Sequence, residues 1–252
     1  MLPIFTNHTI GTPFIELISV DSTNNYAMAE LRKGTAVHGA AFFACEQTHG
    51  KGQHEKIWLS EKGANLVLSL VLNTSALQLP QQFLLSMSIA LATHELFSKY
   101  VRDDTFIKWP NDIYWRDRKA AGILIENIVT GNKWQWAVVG IGVNINQTKF
   151  DDQLTKAVSL KQICGKTFNP VTLAKELCLL IEIRYTQLLT GMDRLIISEY
   201  NKLLYKRQSF INLKKDNIVF PAFINQVDEF GFLHIGDPVF QKFSTGEVQW
   251  LV

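Results

Sequence analysis

The sequence lacks the features that mark secreted, membrane-spanning and disulfide-rich proteins. Its three cysteines, Cys45, Cys164 and Cys178, are odd in number and far apart, so they form neither a disulfide framework nor a zinc motif. No apolar run reaches the length of a transmembrane helix. The first eleven residues lack the basic and apolar segments of a secretory signal. We therefore expect a cytoplasmic protein with reduced thiols and no membrane association.

An excess of charge of one sign is also missing. There are 25 Lys and Arg residues against 23 Asp and Glu residues, a formal net charge of +2. This balance creates no overall field that would attract nucleic acid or an anionic membrane. What the sequence does have is 47% hydrophobic residues in 252. That length and composition predict a globular protein with one large domain, or a large domain and a small one.

The first part of the chain alternates strand and helix patterns. An apolar run at 14–20 ends at Asp-Ser-Thr-Asn, residues 21–24, which is a helix-start signal. Gly131 and Asn132 form a hairpin-turn signal. The periodicity predicts helices at 26–31 and 81–100, and strands at 40–45, 65–72, 107, 113–115, 120–129 and 135–145. These elements predict an α+β fold, a mixed β-sheet with helices on one face.

The pattern changes after about residue 146. A polar loop at 147–155 precedes Asn169, a helix cap, and Pro170, which favours the first helical position. Two helices and then four short strands follow, at 171–189, 192–204, 209–213, 218–226, 231–235 and 247–252. The short strands predict a small C-terminal β-barrel. We divide the chain into a domain at 1–204 and a second at 205–252.

A charged turn interrupts two apolar strands at 108–112, where the sequence is Lys-Trp-Pro-Asn-Asp. The ring of Pro110 fixes its φ and biases Trp109 toward extended geometry. An amine from Lys108, an amide from Asn111 and a carboxylate from Asp112 are thus held at short spacing. This set suits a site for phosphate, a divalent metal or an amine nucleophile. An ordinary hairpin corner remains the alternative.

A glycine-containing basic loop follows the strand predicted at 40–45. Gly50 and Gly52 permit unusual φ values and close approach to a ligand. Lys51 and Lys56 add positive charge. Such a loop can close over an anionic ligand, although its spacing is not that of a phosphate-binding P-loop. A solvated hairpin loop remains the alternative.

Four segments, taken in order, resemble biotin protein ligase over nearly the whole chain. They are Asp-Ser-Thr-Asn at 21–24, the loop at 47–58, Lys-Trp-Pro-Asn-Asp at 108–112 followed by Arg118, Lys119 and Gly122, and Gly-Ile-Gly-Val-Asn at 140–144. The resemblance implies a mixed-sheet domain like that of class II aminoacyl-tRNA synthetases, followed by an SH3-like barrel. Both agree with the periodicity.

The resemblance also implies a two-step reaction. Biotin and ATP would give biotinyl-5′-AMP and pyrophosphate, and a lysine of a biotin carboxyl carrier protein or domain would then take the biotin and release AMP. Lysines and Mg²⁺ are expected because a carboxylate must approach a triphosphate. ATP and Mg²⁺ would serve as co-substrate and metal, biotin as substrate, and no prosthetic group is expected.

The resemblance implies a role for each residue that matches a position in the family's motifs. Lys119 is the expected catalytic cation, between the biotin carboxylate and the α-phosphate, and Asn111 and Asp112 lie near the metal and the incoming lysine. Asp112 is also the candidate Mg²⁺ ligand. The expected biotin site consists of Ser22, Thr23, Asn24, Gln47, Gly50, Lys51, Gly52, Gln53, Lys119 and Gly122. The expected ATP site consists of Lys51, Lys56, Trp58, Lys119 and Asn144. Ser22 and Thr23 also suit a helix cap, and both roles are compatible.

The loop departs from the family pattern of Gly-Arg-Gly-Arg followed by a later glycine. Lys51 and Gln53 occupy the two arginine positions, and Glu55 occupies the glycine position. Lysine loses the planar fork of arginine, and glutamine loses the charge. We therefore expect weaker retention of the adenylate. The sequence also has no room before Phe14 for a helix-turn-helix, so no specific DNA binding is expected.

Two alternatives remain open. Lipoate protein ligases share the fold and the adenylation chemistry, but they lack the Lys-Trp-Pro-Asn-Asp turn. A non-catalytic biotin-binding or biotin-sensing protein is supported only by the altered loop. In each case we expect a monomer or a weak homodimer.

Overall fold

The computed structural model describes residues 9–53, 56–101, 103–151, 156–236 and 241–251. Seven strands form the large sheet: β1 (Phe14–Leu17), β2 (Ala41–Ala44), β3 (Leu66–Asn73), β4 (Thr105–Lys108), β5 (Asp112–Trp115), β6 (Arg118–Thr130) and β7 (Lys133–Val143). The helices are α1 (Thr23–Arg32), α2 (Gln82–Val101), α3 (Leu160–Cys164), α4 (Pro170–Leu189) and α5 (Asp193–Lys202). The second sheet contains β8 (Phe210–Lys215), β9 (Ile218–Val227), β10 (Leu233–Gly236), β11 (Gln241–Phe243) and β12 (Gln249–Leu251).

The large sheet has the strand order β1-β2-β3-β7-β6-β5-β4. The β1–β2 pair is parallel and the other pairs are antiparallel, which confirms the predicted mixed sheet. β6 and β7 are joined by the predicted hairpin turn. Gly131 has a φ of 58° there, a left-handed conformation that glycine adopts without steric penalty.

Side chains point alternately to the two faces of the sheet along each strand, and both faces carry apolar residues. Leu68, Leu70 and their neighbours join the core formed with α2, α4 and α5, on one face as predicted. Val71 instead packs on the opposite face with Phe42 and Ala27, which belongs to α1. This short helix lies opposite the long ones because these apolar side chains also need cover. The rest of that face carries the cleft described below.

The second sheet is antiparallel, with the order β11-β10-β9-β8-β12, in agreement with the predicted small C-terminal barrel. It is joined to the first part of the chain by buried hydrogen bonds. The Asn201 side chain donates to Val227 O at 2.8 Å and accepts from Val227 N at 2.7 Å. The Trp109 indole donates to Gly231 O at 3.0 Å. The domain boundary at 204/205 stays a prediction.

Three short elements were not predicted: a 3₁₀ helix (Leu79–Gln81), α3 and β11. α3 starts at a capping box in which Ser159 accepts from the backbone of Gln162, a pattern visible in the sequence. β11 has only three residues, too few to show alternation. Part of the predicted loop, 152–155, and the last residue of the strand predicted at 247–252 lie outside the described residues. None of the described helices is long and apolar enough to cross a membrane.

Candidate active site

Strand register aligns one row of residues across five strands. Val67, Gly142, Gly122, Asp112 and Lys108 are successive cross-strand partners on β3, β7, β6, β5 and β4. Directly paired residues project from the same face of a sheet. The two glycines leave open space in the middle of the row, and the charged residues stand at its β5–β4 end.

An open cleft of about 1050 Å³ lies over this row. It brings together nearly all of the residues predicted from the sequence. They are Ser22, Thr23, Asn24, Gln47, Lys51, Gly52, Gln53, Lys56, Trp58, Asn111, Asp112, Lys119, Gly122 and Asn144. Gly50 lines an adjacent depression of about 610 Å³ instead. Glu55 lies outside the described residues.

One end of the cleft is a buried network of neutral polar groups. Gln47 Oε1 accepts from the backbone N of Thr23 at 2.8 Å and from its Oγ1 at 3.0 Å. Ser69 Oγ lies 2.7 Å from Thr23 Oγ1 and 2.6 Å from Asn24 Oδ1. Ser69 was not predicted as a site residue, although a single serine within an apolar strand is a visible signal.

Asn24 lies directly against the backbone of Gly140. A Cβ at Gly140 would stand 2.3 Å from Asn24 Oδ1, so only glycine fits. Asn24 Nδ2 donates to Glu126 Oε2 at 2.8 Å, and the other oxygen of this carboxylate is 3.9 Å from Lys51 Nζ. Glu126, which the sequence analysis also missed, therefore connects the neutral end to the loop.

The first turn of α1 confirms the predicted helix start. Ser22 is the N-cap residue, with extended backbone, but its side chain makes no cap hydrogen bond. The side chain is almost completely buried at the edge of the cleft. Its hydroxyl is therefore not committed to capping.

The other end of the cleft is charged. Lys119 Nζ lies 2.7 Å from Asp112 Oδ1, a charge-assisted hydrogen bond. The backbone of Lys119 is fixed by Val158 N, which donates to Lys119 O at 2.9 Å, and by Asn144 Nδ2 at 3.3 Å. Asn144 is thus placed to support the strand that carries the lysine.

Asn111 supports the charged turn from within. Its side-chain amide donates to Ile123 O, and Ile123 N donates to Asn111 O at 3.0 Å. These bonds attach the turn to β6. The amide nitrogen of Asn111 is therefore engaged by the protein itself.

The basic loop forms a small hairpin beside the cleft. Gly52 N donates to Lys56 O at 2.7 Å, and Trp58 N donates to Gly50 O at 2.9 Å. The Trp58 indole fills the space above Gly142, where a Cβ would stand 2.4 Å from the ring. Its Nε1 is buried and has no hydrogen-bond partner among the described residues, so it is a donor that a bound ligand could use.

Lys108 lies in an aromatic setting at the far end of the row. Its Nζ is 3.1 Å from Tyr114 Oη, 4.6 Å from the centre of the Tyr114 ring and 5.9 Å from that of Trp250. Trp250 belongs to β12, so the second sheet forms part of the cleft wall. Burial lowers the pKa of the Lys108 amine to about 8.

The model of the Biotin/lipoate A/B protein ligase family matches residues 16–144, which include both ends of the cleft. The chain belongs to this family. A Bacillus subtilis relative, "Bifunctional ligase/repressor BirA", is 31% identical over 164 residues, 64% of this chain and 50% of the relative. The Escherichia coli protein of the same name is 38% identical over 128 residues, 50% of this chain and 38% of the relative. The chain spans about half the length, or less, of these curated relatives.

Solved structures in the family share the fold. The biotin protein ligase from Aquifex aeolicus in complex with biotin and ATP superposes with a TM-score of 0.80 at 22% identity, covering 94% of this chain and 97% of that one. The Leishmania major biotin protein ligase in complex with biotinyl-5-AMP gives a TM-score of 0.62 at 23% identity, covering 92% and 98%. At these identities the likeness concerns architecture.

The described residues contain no group of three or more His, Cys, Asp or Glu side chains that could hold a metal ion. Asp112 is the carboxylate of the row, at its β5–β4 end, and one carboxylate is too few to hold Mg²⁺ alone. Asp112 could therefore hold Mg²⁺ only together with ligands supplied by a substrate.

Proposed function

We propose that this protein is an ATP-dependent ligase that forms biotinyl-5′-AMP and transfers biotin to a lysine of a biotin carboxyl carrier domain. One observation carries the proposal. A single cleft joins a buried neutral pocket at Thr23 to the Lys119–Asp112 ion pair. A ligand with a neutral polar head and a carboxylate tail matches both ends of this cleft.

The neutral end favours biotin over lipoate. The ureido ring of biotin has N–H donors and a carbonyl acceptor, which can pair with Ser22, Thr23 and Gln47. The dithiolane ring of lipoate has no N–H or C=O groups. Lipoate would leave buried polar groups without partners, at a cost of about 1–3 kcal/mol each.

The charged end fits the first step. Lys119 would stabilise the negative charge between the carboxylate and the α-phosphate as the bond forms. Lys51 and Lys56 would balance phosphate charge from the loop. The Trp58 ring would pack on the nucleotide, with Asn144 at the adenine side. Gly50, Gly52 and Gly122 would permit close approach of the backbone, and Gln53 would contribute to the biotin site.

Asp112 fits the second step. Once Lys119 turns to the ligand, the Asp112 carboxylate can accept a hydrogen bond from the incoming lysine, orient it and take up a proton, so that the lysine attacks as a neutral amine. The amine forms a bond to the acyl carbon, the bond to phosphate breaks, and AMP leaves. Asn111 would hold the turn in place. Asp112 is the residue that would hold Mg²⁺, which would supply positive charge against the ATP phosphates.

Pyrophosphate release tests the proposal. The purified chain is incubated with ATP, Mg²⁺ and either biotin or lipoate. We expect release with biotin and little with lipoate, followed by transfer to a carrier domain, seen as a mass increase. Release with lipoate alone would establish a lipoate ligase. Tight biotin binding without release would establish a biotin-binding or biotin-sensing protein.

The partner proposals have separate tests. We propose a biotin carboxyl carrier protein as partner, a monomer or weak homodimer, a cytoplasmic location and no specific DNA binding. Any association with DNA should be weak and salt-sensitive. Footprinting of a defined operator at physiological salt would contradict this. Sedimentation over a range of concentrations measures the oligomeric state.

A further inference from the structure

Lys108 lies in the cleft but has no part in the roles described so far. It is two strands from Gly122 in the aligned row, with Asp112 between them. Strand spacing places it roughly 10 Å from the glycine. The neutral pocket at Ser69 and Gly140 lies on the opposite side of Gly122. Lys108 and the biotin pocket therefore flank the reacting centre.

Within the described residues no carboxylate pairs directly with Lys108, although the Asp112 charge acts on it at longer range. An ammonium group has three donors, and Tyr114 Oη is its one protein hydrogen-bond acceptor within the described residues. In this part of the chain no carboxylate lies within 4 Å of its Nζ. Its cross-strand neighbour Asp112 is paired with Lys119 instead. A half-buried cation in this state favours an anionic ligand.

Burial does not remove the charge at neutral pH. With a pKa of about 8, Lys108 is mainly protonated at pH 7. The aromatic rings of Tyr114 and Trp250 stabilise the ammonium and limit its movement. The side chain is therefore a fixed cation.

The in-line geometry of nucleotidyl transfer relates the biotin pocket on one side of Gly122 to Lys108 on the other side. In nucleotidyl transfer, the attacking and leaving oxygens lie roughly in line on opposite sides of phosphorus. In the proposed reaction the biotin carboxylate would enter from the side of Gly140, with the α-phosphate near Lys119. The leaving pyrophosphate would then depart toward Asp112 and Lys108.

We propose that Lys108, held by Tyr114 and by Trp250 of the second sheet, binds the β- and γ-phosphates of ATP and the pyrophosphate that leaves. This inference rests on the proposed adenylation. The carboxylate oxygen bonds to the α-phosphorus, the bond from that phosphorus to the bridging oxygen breaks, and the electron pair leaves on pyrophosphate. Lys108 stabilises that charge. The second sheet thereby contributes to the first chemical step.

Separating the two half-reactions tests the role. Lys108→Met removes the charge at similar length, and Lys108→Arg keeps it. Lys242→Met, which removes a lysine over the Phe232 ring outside the cleft, is the matched control. For each variant we measure ATP-dependent adenylate formation, its pyrophosphate-driven reversal, and transfer to hydroxylamine from chemically prepared biotinyl-adenylate.

We expect Lys108→Met to slow adenylate formation and its reversal on the order of 100-fold. Transfer from the prepared adenylate involves no pyrophosphate and should stay within about twofold of wild type. Lys108→Arg should recover most of the loss. Normal reversal by Lys108→Met would overturn the proposal, as would an equal loss in transfer, which would indicate a general base or a structural role. A wild-type chain that forms no adenylate would instead refute the proposed function.

A measurement on the wild-type chain tests the proposal even if the Lys108→Met variant fails to fold. Amine labelling at about pH 8, near the pKa of Lys108, is followed residue by residue by mass spectrometry. Added inorganic pyrophosphate should protect Lys108 and leave Lys242 unaffected. Unchanged labelling of Lys108 at saturating pyrophosphate would contradict the proposal, independently of any activity.

Discussion

The neutral end and the charged end of the cleft differ in how deeply their side chains are buried and in how those side chains are paired. At the neutral end, Thr23, Asn24 and Ser69 are buried and already hydrogen-bonded to the protein. At the charged end, Lys119 and Asp112 are partly exposed and paired with each other. A buried neutral group needs a fixed partner because leaving it unpaired is costly. A paired cation can exchange its partner for a ligand, because one anion replaces another.

The charged end should show the largest effect. Lys119→Ala removes the cation at the reacting centre, and loss of one such electrostatic donor typically slows a reaction on the order of 10²–10³-fold. Single-turnover adenylate formation measures the loss, and biotin affinity should fall much less. Lys133→Ala, in the exposed β6–β7 turn, is the control. Near-normal adenylation by a folded Lys119→Ala chain would remove Lys119 from the mechanism.

The neutral end should show a loss of binding instead of rate. Ser69→Ala leaves Asn24 Oδ1 or Thr23 Oγ1 without its donor, at a cost of about 1–3 kcal/mol. We expect biotin affinity to fall roughly tenfold or more, with little change in the rate from saturated enzyme. Calorimetry and single-turnover rates separate the two quantities. Ser88→Ala, a buried serine bonded within α2, is the control. A slower chemical step at unchanged affinity would show that the two ends are not distinct.

The basic loop beside the cleft should show an intermediate effect. Gln53 and Glu55 differ by two charges from the arginine and glycine of the family pattern. A single charge at a protein surface is typically worth about 0.5–1 kcal/mol, and two such charges give about a tenfold change in adenylate retention. Gln53→Arg with Glu55→Gly should therefore slow the release of labelled adenylate without acceptor. Equal release rates would mean that the pocket walls alone retain it.

The smallest effect is expected for His94, a neutral side chain in the core. Like the residues of the neutral end, it is buried and has a fixed hydrogen-bond partner. His94 is buried, its Nε2 donates to Thr105 O at 3.0 Å, and burial lowers its pKa. As the pH falls from about 7 to about 5, the unfolded chain takes up a proton that the folded chain resists, so the free energy of unfolding decreases. His94→Gln should weaken that dependence in denaturant titrations. An unchanged pH dependence would show that His94 does not contribute.

Local signals in the sequence predicted most elements and most cleft residues. The start of α1, the cap at Asn169 and the β6–β7 turn depend on neighbouring residues, and all three are confirmed. The charged turn at 108–112 was visible because charges between two apolar strands are uncommon. The family resemblance added the roles, which remain to be tested.

What only the tertiary structure decided is how distant residues meet. The row from Gly142 to Lys108 exists because of strand register, which depends on pairing across the whole sheet. Trp250 reaches Lys108 from 142 positions later in the chain, counted as 250 minus 108. Periodicity identifies which face of a strand is apolar, but it does not specify which strand lies beside it. The sequence therefore determined the chemistry available to this protein, and the fold determined which groups could act together.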